Sequence, residues 1–401
     1  MLIVQKYGGT SVGDCQRIQN VAKRVVESKK RGNSLVVVVS AMSGETDKLL
    51  GYTKFFSRLP KEREVDMVLS AGERITSALL AIALEEMGYK AISLSGRGAG
   101  IVTDEFHTKA RIEEVDTAQL NELLAKDYIV VVAGFQGITR NGEVTTLGRG
   151  GSDLSAVALA GALQADLCEI YTDVDGVYTT DPRIEPKAKK IDKISYDEML
   201  ELASMGAKVL LNRSVEMAKK MNVNLVTRSS FNHNEGTLIT KEEEIMEHPI
   251  VSGIALDKNQ ARVSICNVED RPGIAAEIFG ALSEANINVD MIVQTIGRDG
   301  KTDLDFTIPE VELESTKRVL KAFEGSVESI EYDSDIAKVS IVGVGMKSHS
   351  GVAAKAFQAL AEDNINIMMI STSEIKISMV IRLKYAELAI RTLHSVYQLD
   401  K

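Results

Sequence analysis

The chain is 401 residues long, two to three times the usual domain length, so it should hold at least two domains and bury a full core. Hydrophobic residues make up 44% and charged residues 26%, with 30 glycines and 6 prolines, a globular composition far from disordered or collagenous chains. The net charge of −10 argues against a nucleic-acid partner, so any phosphate it binds must be held locally.

The N-terminus reads MLIVQKYGG, with no basic segment ahead of an apolar one, and no stretch approaches the roughly 18 apolar residues of a membrane span. Neither secretion nor a membrane partner is expected; the cytoplasm is. Three scattered cysteines, Cys15, Cys168 and Cys266, lack metal-ligand spacing and read as reduced, buried thiols.

From Met1 to about Thr240, short β-branched runs alternate with amphipathic stretches, the pattern of a mostly parallel sheet covered by helices. A first strand leads into Lys6-Tyr-Gly-Gly-Thr-Ser11 and a helix from near Asp14, whose Ile18, Val21, Ala22 and Val25 mark one buried face. Adjacent glycines, a lysine and a helix N-terminus suit a phosphate; a plain turn is the other reading. After a strand from Leu35 to Val39 comes Ser40-Ala-Met-Ser-Gly-Glu-Thr-Asp47, at the carboxyl end where open sheets bind ligands. Glu73, in Ser70-Ala-Gly-Glu73, falls in the first turn of another helix, as substrate contact or as helix decoration.

A strand from Tyr128 to Ala133 precedes Thr146-Leu-Gly-Arg-Gly-Gly-Ser-Asp153, placed just before a helix from Ala156 to Leu163. Arg149 could grip a carboxylate and Asp153 an ammonium, which together suit an amino acid; alternatively Ser152 or Asp153 only caps the helix. Beyond a strand from Leu167 to Thr172, the loop through Asp173, Tyr178, Asp181 and Arg183 could orient Mg²⁺ waters, ribose or phosphate. Ser195 and Glu198 have capping-box spacing, Lys208 opens a helix where it could meet phosphate, and Val223 to Val226 is a last strand.

Residues 241–249 read as a charged linker or a solvated helix. The chain then repeats itself: Ala261-Arg-Val-Ser-Ile265 returns as Ala337-Lys-Val-Ser-Ile341 after 76 residues, and Ala285-Asn-Ile-Asn-Val289 as Asp363-Asn-Ile-Asn-Ile367 after 78. Each copy reads strand, helix, strand, strand, helix, and Val327 to Tyr332 closes the first. The second has no closing strand, so the run from Ile250 to Leu256 is expected to complete it. The expected domains are 1–240, a linker and strand at 241–260, and modules at 261–334 and 335–401.

These loops together ask for phosphoryl transfer: two lysines, two glycine-rich cradles, acidic groups suited to Mg²⁺, and no Ser-His-Asp or Cys-His set. A carboxylate acceptor needs no general base, so charge neutralisation and positioning would be sufficient.

The set Lys6-Tyr-Gly-Gly-Thr-Ser11, Ser70-Ala-Gly-Glu73, Gly148-Arg-Gly-Gly-Ser-Asp153 and Thr172-Asp-Val-Asp-Gly-Val-Tyr-Thr-Thr-Asp-Pro-Arg183 closely resembles the aspartate kinases, and the two repeats look like ACT modules. The resemblance covers nearly the whole chain. It implies an α/β architecture: a three-layer αβα amino-acid-kinase fold with a mainly parallel sheet, plus two α+β ferredoxin-like ACT modules. It also implies transfer of the ATP γ-phosphoryl group, with Mg²⁺, to the β-carboxylate of L-aspartate, the first step toward lysine, threonine and methionine.

By the same resemblance Lys6, Asp153 and Lys208 are catalytic. Lys6, Tyr7, Gly8, Gly9, Ser40, Ser152, Thr172, Asp173, Tyr178, Asp181, Arg183 and Lys208 would hold ATP. Ser40, Thr46, Glu73, Arg149, Gly150, Gly151 and Asp153 would line the aspartate pocket, and no residue is assigned to metal directly. An amino-acid effector, lysine, threonine or both, is implied at Asp270, Pro272, Gly273, Ile274, Ala275, Asn288, Asp290 and Gln294. Val352, Ala353, Asn366, Ile367 and Ser373 are the matching places in the second module, and a homodimer through the modules is implied. The competing readings are the same fold with another acceptor, such as glutamate, acetylglutamate or a nucleotide, and a non-catalytic amino-acid sensor.

Overall fold

The computed structural model describes residues 1–204, 210–245, 249–296 and 300–401. The chain begins with β1 (Leu2–Tyr7), α1 (Cys15–Lys30), β2 (Ser34–Val39), α2 (Glu45–Phe56), α3 (Glu62–Leu69), α4 (Ala71–Glu86) and β3 (Ala91–Leu94). There follow β4 (Ile101–Thr103), β5 (Ile112–Val115), α5 (Ala118–Ala125), β6 (Ile129–Ala133), β7 (Gln136–Thr139), β8 (Val144–Thr146), α6 (Gly151–Ala162) and β9 (Leu167–Thr172). Then come β10 (Lys193–Ser195), α7 (Tyr196–Ser204), α8 (Asn212–Met221), β11 (Leu225–Ser229) and β12 (Thr237–Thr240).

Eight strands form one sheet in the order β10-β12-β11-β9-β1-β2-β6-β3. Every neighbouring pair is parallel except β11 with β12. The two faces are built by alternation along the strands. Ile3, Val37, Val39, Ile129 and Val131 pack with Ile18, Val21, Ala22 and Val25 of α1 and with Leu80, Ala81 and Leu84 of α4. On the other face α6 lies against β1, β2 and β9, with α8 packed on α6. The result is three layers, with a small sheet of order β5-β4-β7-β8 beside them.

Local chemistry explains the ends of these elements. Asp14 caps α1 by accepting from the Arg17 N–H at 2.8 Å. At α7 the capping box is reciprocal: Glu198 Oε2 accepts from Ser195 N at 3.1 Å, and Glu198 N donates to Ser195 Oγ at 3.3 Å. The strand expected at Val223 starts later, at Leu225, because Asn222 ends α8 in the left-handed region (φ 55°) and Val223 N still bonds back to Ala218 O. Cys168 is buried but Cys15 is exposed and Cys266 half-buried, so the expectation of three buried thiols fails at the first turn of α1. One qualification to the membrane reading is needed: α3 and α4 run on as a stretch, Glu62–Glu86, long and apolar enough to cross a membrane by length and composition. Half of it is buried, and Leu80 and Leu84 lie in the core.

The chain forms two compact units. Among the described residues the expected boundary at residue 240 is crossed by Tyr178–Lys189, which belongs with the C-terminal unit, as Ser204 does. Within that unit Thr179 O accepts from Ile254 N at 2.7 Å, its hydroxyl meets His394 Nε2 at 3.0 Å, and Ile184 packs on the core. The linker holds a single 3-10 turn at Glu242–Glu244; residues 246–248 lie outside the described residues.

The C-terminal unit continues with β13 (Gly253–Asp257), β14 (Gln260–Glu269), α9 (Ile274–Glu284), β15 (Ile292–Ile296), β16 (Lys301–Pro309), α10 (Leu313–Leu320) and β17 (Ser329–Asp333). It ends with β18 (Ile336–Val342), α11 (Val352–Glu362), β19 (Ile367–Thr372), β20 (Lys376–Arg382) and α12 (Ala386–Val396). The two antiparallel sheets have orders β15-β16-β14-β17 and β13-β18-β20-β19. In the second, β13 pairs with β18, Gly253 opposite Val342 and Asp257 opposite Lys338. A seam of Met291, Ile336, Met369 and Val380 joins the repeats, and beside it Lys338 of β18, 2% exposed, is ion-paired with Asp290.

Candidate active site

β1 lies between β2 and β9, so the chain leaves the sheet on opposite sides of it and a crevice opens at its carboxyl end. Lys6, one residue from that end, places Nζ 2.6 Å from Asp153 Oδ1, with both side chains nearly buried. The contact is one of charge, since Asp153 Oδ1 has no aligned hydrogen-bond donor. Gly8 N donates to Tyr171 O at 3.2 Å, and a Cβ on Gly9 would stand 3.0 Å from the Ala41 carbonyl. The backbone there is approachable because side chains do not fit. Beside this turn Asp14 accepts from Arg17 N and so satisfies one donor of the first turn of α1.

The second glycine-rich segment differs from expectation in a useful way. Helix α6 begins at Gly151, five residues earlier than expected, because Gly150 takes a left-handed φ of 73° and the chain turns directly into the helix. Gly151, Ser152 and Asp153 are therefore its first turn, with no side-chain cap; Gly151 N and Asp153 N donate to Gly148 O and Gly150 O at 3.0 and 3.1 Å, and the helix N-terminus favours an anion through its dipole. The capping role considered for Ser152 and Asp153 is absent. Ser152 packs against Gly134. Arg149 projects from the loop, exposed and without an ion pair among the described residues.

Glu73 is 3% exposed. Its Oε1 accepts from Ala41 N at 3.0 Å, while Oε2 is buried with no partner, and burial pushes its carboxyl up to about 7. Gly72 docks directly on Ala41, bringing the start of α4 against the end of β2. Ser40 N donates to Tyr7 O at 3.1 Å, and Ser40 and Thr46, in the first turn of α2, are half-buried. This pocket wall wants a cation: a buried carboxylate with one oxygen unmet.

The Tyr7 ring is fully buried and stacks on Tyr171, centroids 4.6 Å apart, so only its backbone faces the turn. Thr172 ends β9 and its hydroxyl donates to Asp173 Oδ1 at 3.0 Å. Tyr178, Asp181 and Arg183 belong to the C-terminal unit, where Arg183 forks onto Asp181 (Nη2 at 2.7 Å, Nε at 3.0 Å) and holds that carboxyl below its usual range. Lys208 lies outside the described residues. Among those residues no cluster of three His, Cys, Asp or Glu could hold a metal.

Sequence reading missed a buried network beneath the turn. Glu169 accepts from Gln5 Nε2 at 2.8 Å and from the Tyr171 hydroxyl at 3.1 Å, with Arg228 Nη2 at 3.5 Å. Gln5 and Glu169 are polar residues inside apolar strands, and that was the available signal.

In the C-terminal unit Asp270, Pro272 and Gly273 form an exposed turn into α9, with Ile274 buried and Ala275 half-buried. Asn288 and Asp290 precede β15 instead of lying on it; Gln294 is on the strand and exposed. Val352 and Ala353 open α11, Asn366 and Ser373 are exposed, and Ile367 is half-buried.

Comparison with known proteins accounts for this arrangement. Residues 1–228 match the amino acid kinase family, and residues 262–326 and 339–397 each match the ACT domain. An aspartokinase of Helicobacter pylori is 72% identical over 405 residues, covering 100% of both chains. The fold is similar to E. coli aspartokinase III in complex with aspartate and ADP (TM-score 0.82, 26% identity, 99% of each chain). It is also similar to that protein in complex with lysine and aspartate (TM-score 0.78, 27% identity, 98% of this chain and 99% of the other). The chain belongs to the aspartokinase family, ATP-dependent kinases, and carries two C-terminal ACT domains that imply allosteric regulation.

Proposed function

We propose that the enzyme transfers the γ-phosphoryl group of ATP to the β-carboxylate of L-aspartate, giving 4-phospho-L-aspartate and ADP at the head of lysine, threonine and methionine synthesis. The observation that carries this reading is the juxtaposition of unmet charges: Lys6 against Asp153, Glu73 with a bare oxygen, and an unpaired Arg149. A zwitterionic dicarboxylate answers them, its α-carboxylate on Arg149 and its ammonium toward Glu73 and Asp153, with Ser40, Thr46, Gly150 and Gly151 lining the pocket. A β-carboxylate oxygen then attacks the γ-phosphorus as the bond to the β,γ-bridging oxygen breaks. No proton moves.

Lys6 has two N–H directions beyond Asp153 for phosphate oxygens, and Gly8 and Gly9 offer approachable backbone. Ser152, Thr172, Asp173, Tyr178, Asp181, Arg183 and Lys208 complete the nucleotide assignment, and Mg²⁺ enters as the ATP complex. Lysine, threonine or both act at the ACT turns of a cytoplasmic homodimer; the lysine complex of the E. coli relative supports an amino-acid effector.

The test is product identification. Purified protein with ATP and Mg²⁺ is offered aspartate, glutamate or acetylglutamate in hydroxylamine, which traps acyl phosphates as hydroxamates. Hydroxamate and ADP should form with aspartate. Turnover with another acceptor and none with aspartate would move the assignment to that acceptor, and ADP formation with none would favour the sensor.

A further inference from the structure

The loop that carries Arg149 is braced from behind by a carboxylate outside the substrate pocket. Asp66, on α3, is 0% exposed. Its oxygens accept from Thr108 N at 3.0 and 3.1 Å and from Thr146 Oγ1 at 2.5 Å, and His107 Nδ1 lies at 2.8 Å. Thr108 is a β-branched residue held at φ 63°, in the left-handed region such side chains avoid. Its carbonyl backs directly onto Gly148, where a Cβ would stand 3.2 Å away. Thr146 closes β8 two residues before that glycine. Asp66 thus fixes two points, a strained backbone behind Gly148 and the strand end leading into it, and Arg149 is the next residue.

We propose that Asp66 is a positioning residue for aspartate binding: through Thr108 and Thr146 it sets the Gly148 turn and so the place from which Arg149 meets the substrate carboxylate. Arg149 is exposed and its side chain forms no ion pair with any described residue, so its place depends on the backbone of its loop, which Leu147 N to Phe135 O (2.9 Å) and Arg213 Nη1 to Leu147 O (2.8 Å) also hold. The proposal rests on the assignment of Arg149 to the aspartate α-carboxylate.

The test is steady-state kinetics of the full chain with both substrates varied. In Asp66→Asn one acceptor oxygen becomes a donor facing the Thr108 N–H. Aspartate KM should rise roughly tenfold while kcat and ATP KM stay within about twofold, since a small misplacement weakens one contact. Adding Thr108→Gly, which holds a left-handed backbone unaided, should restore aspartate KM. In an Arg149→Ala background the Asp66 effect should vanish, because both changes remove one interaction. A parallel rise in ATP KM, no rescue by Thr108→Gly, or effects of Asp66→Asn and Arg149→Ala that multiply would overturn the proposal and leave the Arg149 assignment standing. An Arg149→Ala variant with unchanged aspartate KM would overturn both. Should Asp66→Asn not fold, Thr146→Val removes one donor only and should raise aspartate KM about threefold; an unchanged value there refutes the bracing.

Discussion

The candidate active site and the effector turns use charge in opposite ways. At the carboxyl end of β1 the charges are left wanting: Glu73 Oε2 is buried and bare, Arg149 has no ion pair among the described residues, and Asp153 has Lys6 near it without an aligned donor. In the C-terminal unit several charges are already paired. Asp290 holds the buried Lys338, Arg271 forks onto Glu277, and Arg183 onto Asp181. A ligand entering the first region completes it; a charged ligand taking Asp290 must displace a partner. The first suits tight positioning for chemistry, and the second suits a switch, because exchanging partners couples binding to rearrangement.

Removing a charge should therefore hurt the two regions differently. The largest effect belongs to Lys6→Ala, where kcat should fall by about 10³-fold with near-normal thermal stability, since a cation aimed at transferring charge is lost; initial rates of ADP release measure it. Next is Glu73→Gln, which should raise aspartate KM by roughly tenfold, a loss of about 1.4 kcal/mol of ion pairing. It should also abolish a pH dependence. Because burial raises the Glu73 pKa to about 7, the folded protein keeps a proton that the unfolded chain has lost. The contribution of this group to stability thus falls between the ordinary carboxylate range and pH 7 by about 3 kcal/mol. Melting curves from pH 5 to about 8 should show that decline in the ligand-free wild type and lack it in Glu73→Gln.

In the satisfied region the larger effect should be on stability and the smaller on nucleotide binding. Asp290→Asn leaves the Lys338 ammonium buried and unpaired, at roughly 2 kcal/mol, less than a fully buried pair because Asp290 is partly exposed. The melting temperature of the C-terminal unit should drop by about 5 °C while kinase turnover without effector stays the same. Smallest is Arg183→Ala: its guanidinium is largely exposed, so ATP KM should rise only about threefold, and less at high salt. A large stability loss there, or a catalytic loss in Asp290→Asn, would break the comparison.

Features written locally were legible before the structure. The strand ending in Lys6, the Asp14 start of α1 and the Ser195–Glu198 box each depend on neighbours within a few residues, which is why periodicity and capping patterns found them. Features made by distant segments were not. Nothing near Lys6 says that Asp153 meets it, and Gly150-Gly151 read as loop because glycine also opens a helix from a left-handed residue. Segment Tyr178–Lys189 sits with the C-terminal unit through contacts at Ile254 and His394, far along the chain. Asp66 was the missed signal with a visible cause: it shares the buried face of α3 with Val65 and Leu69, and an acid on an apolar face needs partners.

The most direct test of the unmet-charge account is calorimetric titration of aspartate into the ligand-free enzyme at pH 6 and 8, in buffers of different ionisation heat. At pH 6 Glu73 carries a proton that the substrate ammonium should expel, so binding should release close to one proton; at pH 8 it should release almost none, and Glu73→Gln none at either. Binding at pH 6 without proton release, or the same release from Glu73→Gln, would contradict the claim that this buried carboxylate waits for the substrate's charge.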